Sequence, residues 1–174
     1  MGMSGEGQRH AVGHLWKDVR LMRHQNDRRV IDDLRQRSRQ IVEAAKMAMA
    51  RQLDGKLVGD WKEGEKIAQN GRGMTWTDKA GSANGGNCYN CHQISKEEIS
   101  FGTLGPSLYN YGKIRGVKDP ASADSKAIVE YTWGKIWNAK AYNACSGMPR
   151  FGHAGILTEA QVRDVVALLV DPRS

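Results

Sequence analysis

The stretch Asn87-Cys88-Tyr89-Asn90-Cys91-His92 sets two thiols three positions apart and follows the second at once with an imidazole. Two such sulfurs lie along one turn of chain and can reach the two vinyl groups of a haem, while the next residue places a nitrogen under the iron. Cys88 and Cys91 are therefore the expected thioether attachments of one covalently bound haem c, and His92 its expected proximal ligand. Two other chemistries use the same cysteine pair. A redox dithiol wants a strand before it and a helix starting at it, and the Gly-rich run Lys79-Ala80-Gly81-Ser82-Ala83-Asn84-Gly85-Gly86-Asn87 offers no strand. Zinc would need Cys145 and a distant ligand such as His153.

A sixth ligand decides whether such an iron carries electrons or binds small molecules. Met148, in Gly147-Met148-Pro149-Arg150-Phe151-Gly152, is the expected distal ligand and, with His92, an iron-binding residue. It stands in a loop just before the last helical pattern, where the chain can return it to the opposite haem face. A soft thioether there favours the ferrous state. Met74, His153 and an open position compete with it, and a methionine is often simply a core residue; Met47 and Met49 fit that plainer reading. In Leu104-Gly105-Pro106-Ser107-Leu108, Pro106 has no N–H and holds a rigid backbone, so its carbonyl can accept the second ring nitrogen of His92. A plain turn would read the same way. Arg150 either pairs with a haem propionate or faces water.

Outward from this site the pattern is helical. Val30, Ile31, Leu34, Ile41, Val42, Ala45, Ala48, Met49 and Leu53 recur at steps of three and four, predicting an amphipathic helix over 27–53. Asn26 or Asp27 would cap its start and Asp54-Gly55 end it, with Arg28, Arg29, Arg35, Arg37 and Arg39 on its exposed sides and residues 1–25 forming an arm. A second helix is expected over 60–70, with Trp61, Ile67 and Ala68 inward and Gly64 admitting another backbone. Gly71-Arg72-Gly73 stops it. After a loop-rich segment, helix returns over 125–137, where Ile128, Tyr131, Trp133, Ile136 and Trp137 could enclose a flat cofactor or simply fill a core. Thr158-Glu159-Ala160-Gln161 is a capping box that opens the last helix, which ends before Pro172. With no alternating β-branched runs, the fold is expected to be all-α.

The 174 residues suit one domain and an appendage. Lys and Arg number 26 against 19 Asp and Glu, a formal charge of +7 that invites an acidic partner surface; the aromatic interleaving of a nucleic-acid arm is missing, so no nucleic acid is expected. The longest apolar run, 165–170, is far short of a membrane span, so no membrane insertion is expected. Met1-Gly2-Met3-Ser4-Gly5-Glu6-Gly7 lacks the basic start and apolar stretch of a secretory signal, which does not by itself assign a compartment. Three cysteines make a disulfide scaffold a poor reading and leave Cys145 as a single thiol.

The segments 87–92, Gly102-Thr103-Leu104-Gly105-Pro106-Ser107-Leu108, Tyr109-Asn110-Tyr111-Gly112 and Asn143-Ala144-Cys145-Ser146-Gly147-Met148-Pro149-Arg150-Phe151-Gly152 together resemble the SoxX subunits of SoxAX cytochromes, as does the tail from Gly155-Ile156-Leu157 to Asp171-Pro172. The likeness covers about 59–171. It implies a class I cytochrome c domain over 59–174, preceded by an N-terminal extension over 1–58 that departs from the shorter SoxX chains. It implies Cys88, Cys91, His92 and Met148 as the haem-binding set. The implied partner is SoxA, a dihaem cytochrome carrying the catalytic residues of an L-cysteine S-thiosulfotransferase complex. In the periplasm that complex joins thiosulfate oxidatively to a cysteine of the carrier SoxYZ, and SoxX passes the electrons to a downstream acceptor. The extension would be a docking arm for SoxA. A free-standing respiratory electron carrier shares every haem residue and differs only in partners.

Overall fold

The computed structural model describes residues 5–50, 56–73 and 83–172, with the side chains of the first helix described over 27–49. Five α-helices follow one another: α1 (Gly5–Ala50), α2 (Trp61–Gln69), α3 (Tyr111–Ile114), α4 (Lys126–Trp137) and α5 (Glu159–Val170). Single 3-10 turns stand at Cys88–Asn90, Ala123–Ser125 and Ala139–Ala141, and no strand occurs among the described residues, so the all-α expectation holds. The chain divides into two compact units, Met1–Gln40 and Ile41–Ser174.

In the first unit α1 starts at Gly5, which corrects the expected start near Asn26. No proline interrupts 5–40, and an interior Gly or Asn costs a helix only about 1 kcal/mol or less, so neither Gly13 nor Asn26 ends it. Pairs such as Arg37–Asp33 (2.9 Å) and Arg35–Asp32 (3.4 Å) add a few tenths of a kcal/mol each. Val30, Ile31 and Leu34 lie exposed, and Ile31, Leu34, Arg35, Ser38 and Arg39 line a shallow open groove. The predicted stop at Asp54-Gly55 lies outside the described residues.

In the second unit the end of α1 sends Ala45 and Met49 into the main core. Met47 is exposed, against the expectation that both methionines are core, because two residues apart on a helix means roughly opposite faces. Asp60 caps α2 by accepting the Lys62 N–H at 2.9 Å. Gly64 and Ala68, one turn apart, form the buried face of α2. A Cβ on Gly64 would collide with the backbone of Asp164, so glycine is what lets α2 lie against α5. Two further bonds fix that approach, Gly59 N–H to Arg163 O (3.0 Å) and Asp60 N–H to the Asp164 carboxylate (2.8 Å). Trp61 is not inward. It occupies the first helical position, off the Gly64/Ala68 face, and its ring is partly exposed with the Lys62 ammonium 5.7 Å away.

The main core sits between α4 and α5. Trp133 is fully buried and stacks on Trp137 at 4.9 Å, among Phe151, Leu157, Val162, Val166 and Val170. Tyr131 does not join them; it lies more exposed, edge-on to Tyr142 at 5.0 Å. α5 opens on the capping box read from the sequence, with Thr158 and Gln161 each bonding the other's backbone N–H.

Candidate haem site

Asn87 turns the chain with left-handed backbone (φ 50°, ψ 34°), a conformation asparagine tolerates better than most residues. The 3-10 turn Cys88–Asn90 follows, and the N–H groups of Cys91 and His92 both donate to the Cys88 carbonyl, at 3.0 and 2.9 Å. Both thiols and the imidazole thus belong to one closed turn. Buried Gly85 and Gly86 carry the chain past the end of α2, donating to Arg72 O and Ile67 O, each at 2.7 Å, and Asn87 donates to Asn70 O at 3.1 Å. The Ile67 carbonyl, one of those a helix end leaves without an intrahelical partner, is satisfied this way. A Cβ on Gly86 would stand 2.9 Å from the Cys88 sulfur, so the glycine leaves the thiol its space.

Burial, assisted by the neighbouring Cys91, pushes the Cys88 thiol up to about 12. A redox dithiol works through a thiolate available near neutral pH, which burial disfavours at Cys88. Among the described residues no three His, Cys, Asp or Glu side chains gather to hold a metal ion, and Cys145 is exposed on another loop. The ligand set that the zinc alternative requires is not assembled among the described residues.

His92 Nδ1 lies 2.7 Å from the Pro106 carbonyl oxygen. A carbonyl only accepts, so Nδ1 carries the proton and donates, and Nε2 keeps the free lone pair that a metal takes. Gly105 lies flat against the ring; a Cβ there would collide with it. The segment holding Gly105 and Pro106 is tied to the cysteine turn by Gly102 N–H to Tyr89 O (2.7 Å), Gly105 N–H to Cys91 O (2.8 Å) and Leu108 N–H to Gln93 O (2.7 Å).

Cys88, Cys91, His92 and Pro106 therefore form one hydrogen-bonded unit. Met148 and Arg150 stand on a second loop, where Met148 is half-buried against the main core and donates its N–H to Ser146 Oγ at 3.3 Å. Arg150 is exposed, with no carboxylate partner among the described residues. The Asn84 side chain bridges the two loops by donating to Ile156 O at 3.0 Å. His153 is exposed on the same loop, and Met74 lies outside the described residues. Gly86 and Gly105 complete the surroundings of the thiol and the ring; their sequence signal was a glycine beside each reactive side chain's anchoring turn.

A family model for cytochrome c matches residues 62–171. The chain belongs to the cytochrome c family. Membership makes it an electron-transfer haem protein with covalently bound haem c. A protein of Aquifex aeolicus (strain VF5), described as an uncharacterized lipoprotein, is 36% identical over 136 residues, which cover 78% of this chain and 61% of that one. The chain thus spans about three-fifths of the length of the curated relative it matches.

The residues present fit such a group. Cys88 and Cys91 would attach it, His92 Nε2 would ligate the iron, Met148 would supply a thioether and Arg150 a cation for a propionate. The buried Asn87 Oδ1 has no hydrogen-bond partner among the described residues, the kind of orphan that a bound group or water completes. When bound, haem c supplies a one-electron couple. The chain's own contribution is to hold one histidine tautomer in one orientation, through Pro106 and Gly105, and to keep the attachment turn rigid against α2. No helix of the described residues is long and apolar enough to cross a membrane.

Proposed function

We propose that this cytochrome c is a SoxX-type subunit: a single haem c, attached at Cys88 and Cys91 and ligated by His92 and Met148, accepts electrons released when thiosulfate is joined to the carrier cysteine of SoxYZ. The reaction's catalytic residues belong to a dihaem SoxA partner, and a downstream acceptor removes the electrons. The observation that carries this reading is the pairing of Leu104-Gly105-Pro106-Ser107-Leu108 with Met148-Pro149-Arg150-Phe151-Gly152 around one Cys-x-x-Cys-His motif. The His92–Pro106 bond supports the ligand role of His92. A periplasmic home suits covalent haem and the reactive sulfur intermediates, and the relative's description as a lipoprotein is in keeping with a place outside the cytosol.

The exposed stripe Val30, Ile31, Leu34 and Ile41 on α1 supports a docking arm for the SoxA partner. Co-expression with a SoxA-type dihaem cytochrome and with cytochrome maturation machinery tests the assignment. A stable heterodimer whose mono-haem centre is reduced on adding thiosulfate and SoxYZ is expected. A chain that purifies alone and exchanges electrons only with respiratory enzymes supports the free-standing carrier instead. Deleting residues 1–40, which spares Ala45 and Met49, tests the arm; unchanged affinity for the dihaem partner refutes it.

A further inference from the structure

The apolar stripe of α1 is not flat. Ile31, Leu34, Arg35, Ser38 and Arg39 line an open groove, and the first four of these stand three, four and seven residues apart along one helix. Four side chains at that spacing are the hole into which one helix receives a single side chain of another. Ile31 and Leu34 are 46% and 59% exposed, and Ser38 is half-buried. A large residue at 38 would fill the groove; the small serine keeps it open.

Every charge over 27–40 has a place relative to that stripe. At the helical repeat, Arg28, Arg35 and Arg39 run along one edge of it and Arg37 stands on the other. Asp32, Asp33 and Arg29 lie toward the opposite face, and Asp27 is in line with the stripe at its start. Arg35 and Arg37 reach back to Asp32 and Asp33, at 3.4 and 2.9 Å. All four of these side chains are more than half exposed, so the pairs are weak and can be exchanged for others. Arg39 has no carboxylate partner among the described residues. Both rims of the groove are therefore cationic, with the acids set behind them.

Resting on the reading of α1 as a docking arm, we infer that residues 28–39 receive an amphipathic helix of the partner protein whose apolar stripe is flanked by Asp or Glu. One side chain of that helix seats over Ser38, among Ile31, Leu34 and Arg35. The arginine rims select acidic flanks because the residues beside a helix–helix seam set partner choice by charge. A second copy of this chain is the wrong occupant: it would set arginine edges together with no carboxylate on either rim. An anionic lipid surface would answer the same charges, but it has no use for a hole of this spacing. Residues 27–40 also carry no aromatic side chain to anchor at a membrane interface.

Titration of a labelled synthetic helix with the holoprotein, followed by fluorescence anisotropy, tests this. The probe carries Leu at the core positions of its heptads and Glu at the positions beside them; a second probe carries Lys in place of Glu. The Glu helix is expected to bind about tenfold more tightly than the Lys helix, and Arg35→Glu/Arg39→Glu to reverse that order. Ser38→Phe fills the hole and is expected to weaken the Glu helix about tenfold, while Gln36→Phe, on the opposite face, leaves it unchanged. Equal binding of the two helices overturns the inference. So does unaltered affinity in a Ser38→Phe protein whose haem spectrum and helical circular dichroism match the parent. Self-association through these residues overturns it too, as does arginine-dependent binding to phosphatidylglycerol vesicles with neither helix bound. Failure of the partner assignment reads differently: the Glu helix binds as expected but a SoxA-type dihaem cytochrome does not co-purify, which upholds this surface and refutes that partner.

Discussion

Replacing Gly105 by alanine places a methyl group against the His92 ring, with Nδ1 2.5 Å and Nε2 2.7 Å from the new carbon and Cε1 closer still. Ordinary contact begins near 3.4 Å, so the ring must retreat by roughly 1 Å, a displacement the 2.7 Å bond to the Pro106 carbonyl does not survive. Losing that bond costs about 1 kcal/mol, and forcing the ring off its rotamer costs about as much again. Together, about 2 kcal/mol in a chain of this size lowers the midpoint of thermal unfolding by roughly 4–8 °C. An imidazole that no longer donates to a carbonyl is also a poorer electron donor, so the ferric form loses support and the midpoint potential rises; about 0.5 kcal/mol of lost preference corresponds to about 20 mV. Thermal melts followed at the Soret band, with potentiometric titration, read both quantities. Gly147→Ala, whose new carbon meets no atom within 4 Å, is the control. A Gly105→Ala protein that melts and titrates like the control would refute the argument that this glycine seats the ligand.

Met148→Ala removes the thioether assigned to the iron, so the weak Met-to-iron band of the oxidised protein should vanish and the reduced protein should bind carbon monoxide; survival of the band would move the ligand elsewhere. Gly64→Ala drives a methyl into the Asp164 backbone and should destabilise the holoprotein by about 1–3 kcal/mol through separation of α2 from α5, measured by denaturant titration. In haem-free protein, the Cys88 thiol raised from 9.0 to about 12 should hold about a thousandfold less thiolate at pH 8 than an ordinary cysteine, so iodoacetamide should label exposed Cys145 well before Cys88. The same shift has a stability consequence: the folded chain holds this proton more tightly, so its contribution is complete below pH 9 and is lost as pH rises toward 12.

The parts of the fold legible in the sequence are those set by local chemistry. Thr158 and Gln161 form the capping box their spacing implies, and the helix expected over 60–70 is found as α2 (Trp61–Gln69). What escaped was decided by packing between segments far apart in the chain. Trp61 reads as core from its size alone, yet the buried face of α2 is chosen by where Asp164 allows an approach, and that selects Gly64 and Ala68 instead. Met47 and Met49 share one pattern until the helix phase separates them. The start of α1 escaped for a different reason: cap-competent residues such as Asn26 mark where a helix can begin, not where it must.

The candidate site divides along the same line. Cys88, Cys91 and His92 are legible because their chemistry depends on spacing within one turn, and the chain closes that turn with two bonds to a single carbonyl. The surroundings that make the turn useful come from fourteen residues further on, where Gly105 leaves room for the ring and Pro106 turns a carbonyl toward Nδ1. The two contributions depend on each other. A proline fixes its own backbone but cannot choose what it faces, and the bond from Gly105 N–H to Cys91 O sets that direction. The ligand orientation is therefore a property of the paired segments: cutting the Gly105–Cys91 bond should free the imidazole even with Pro106 in place.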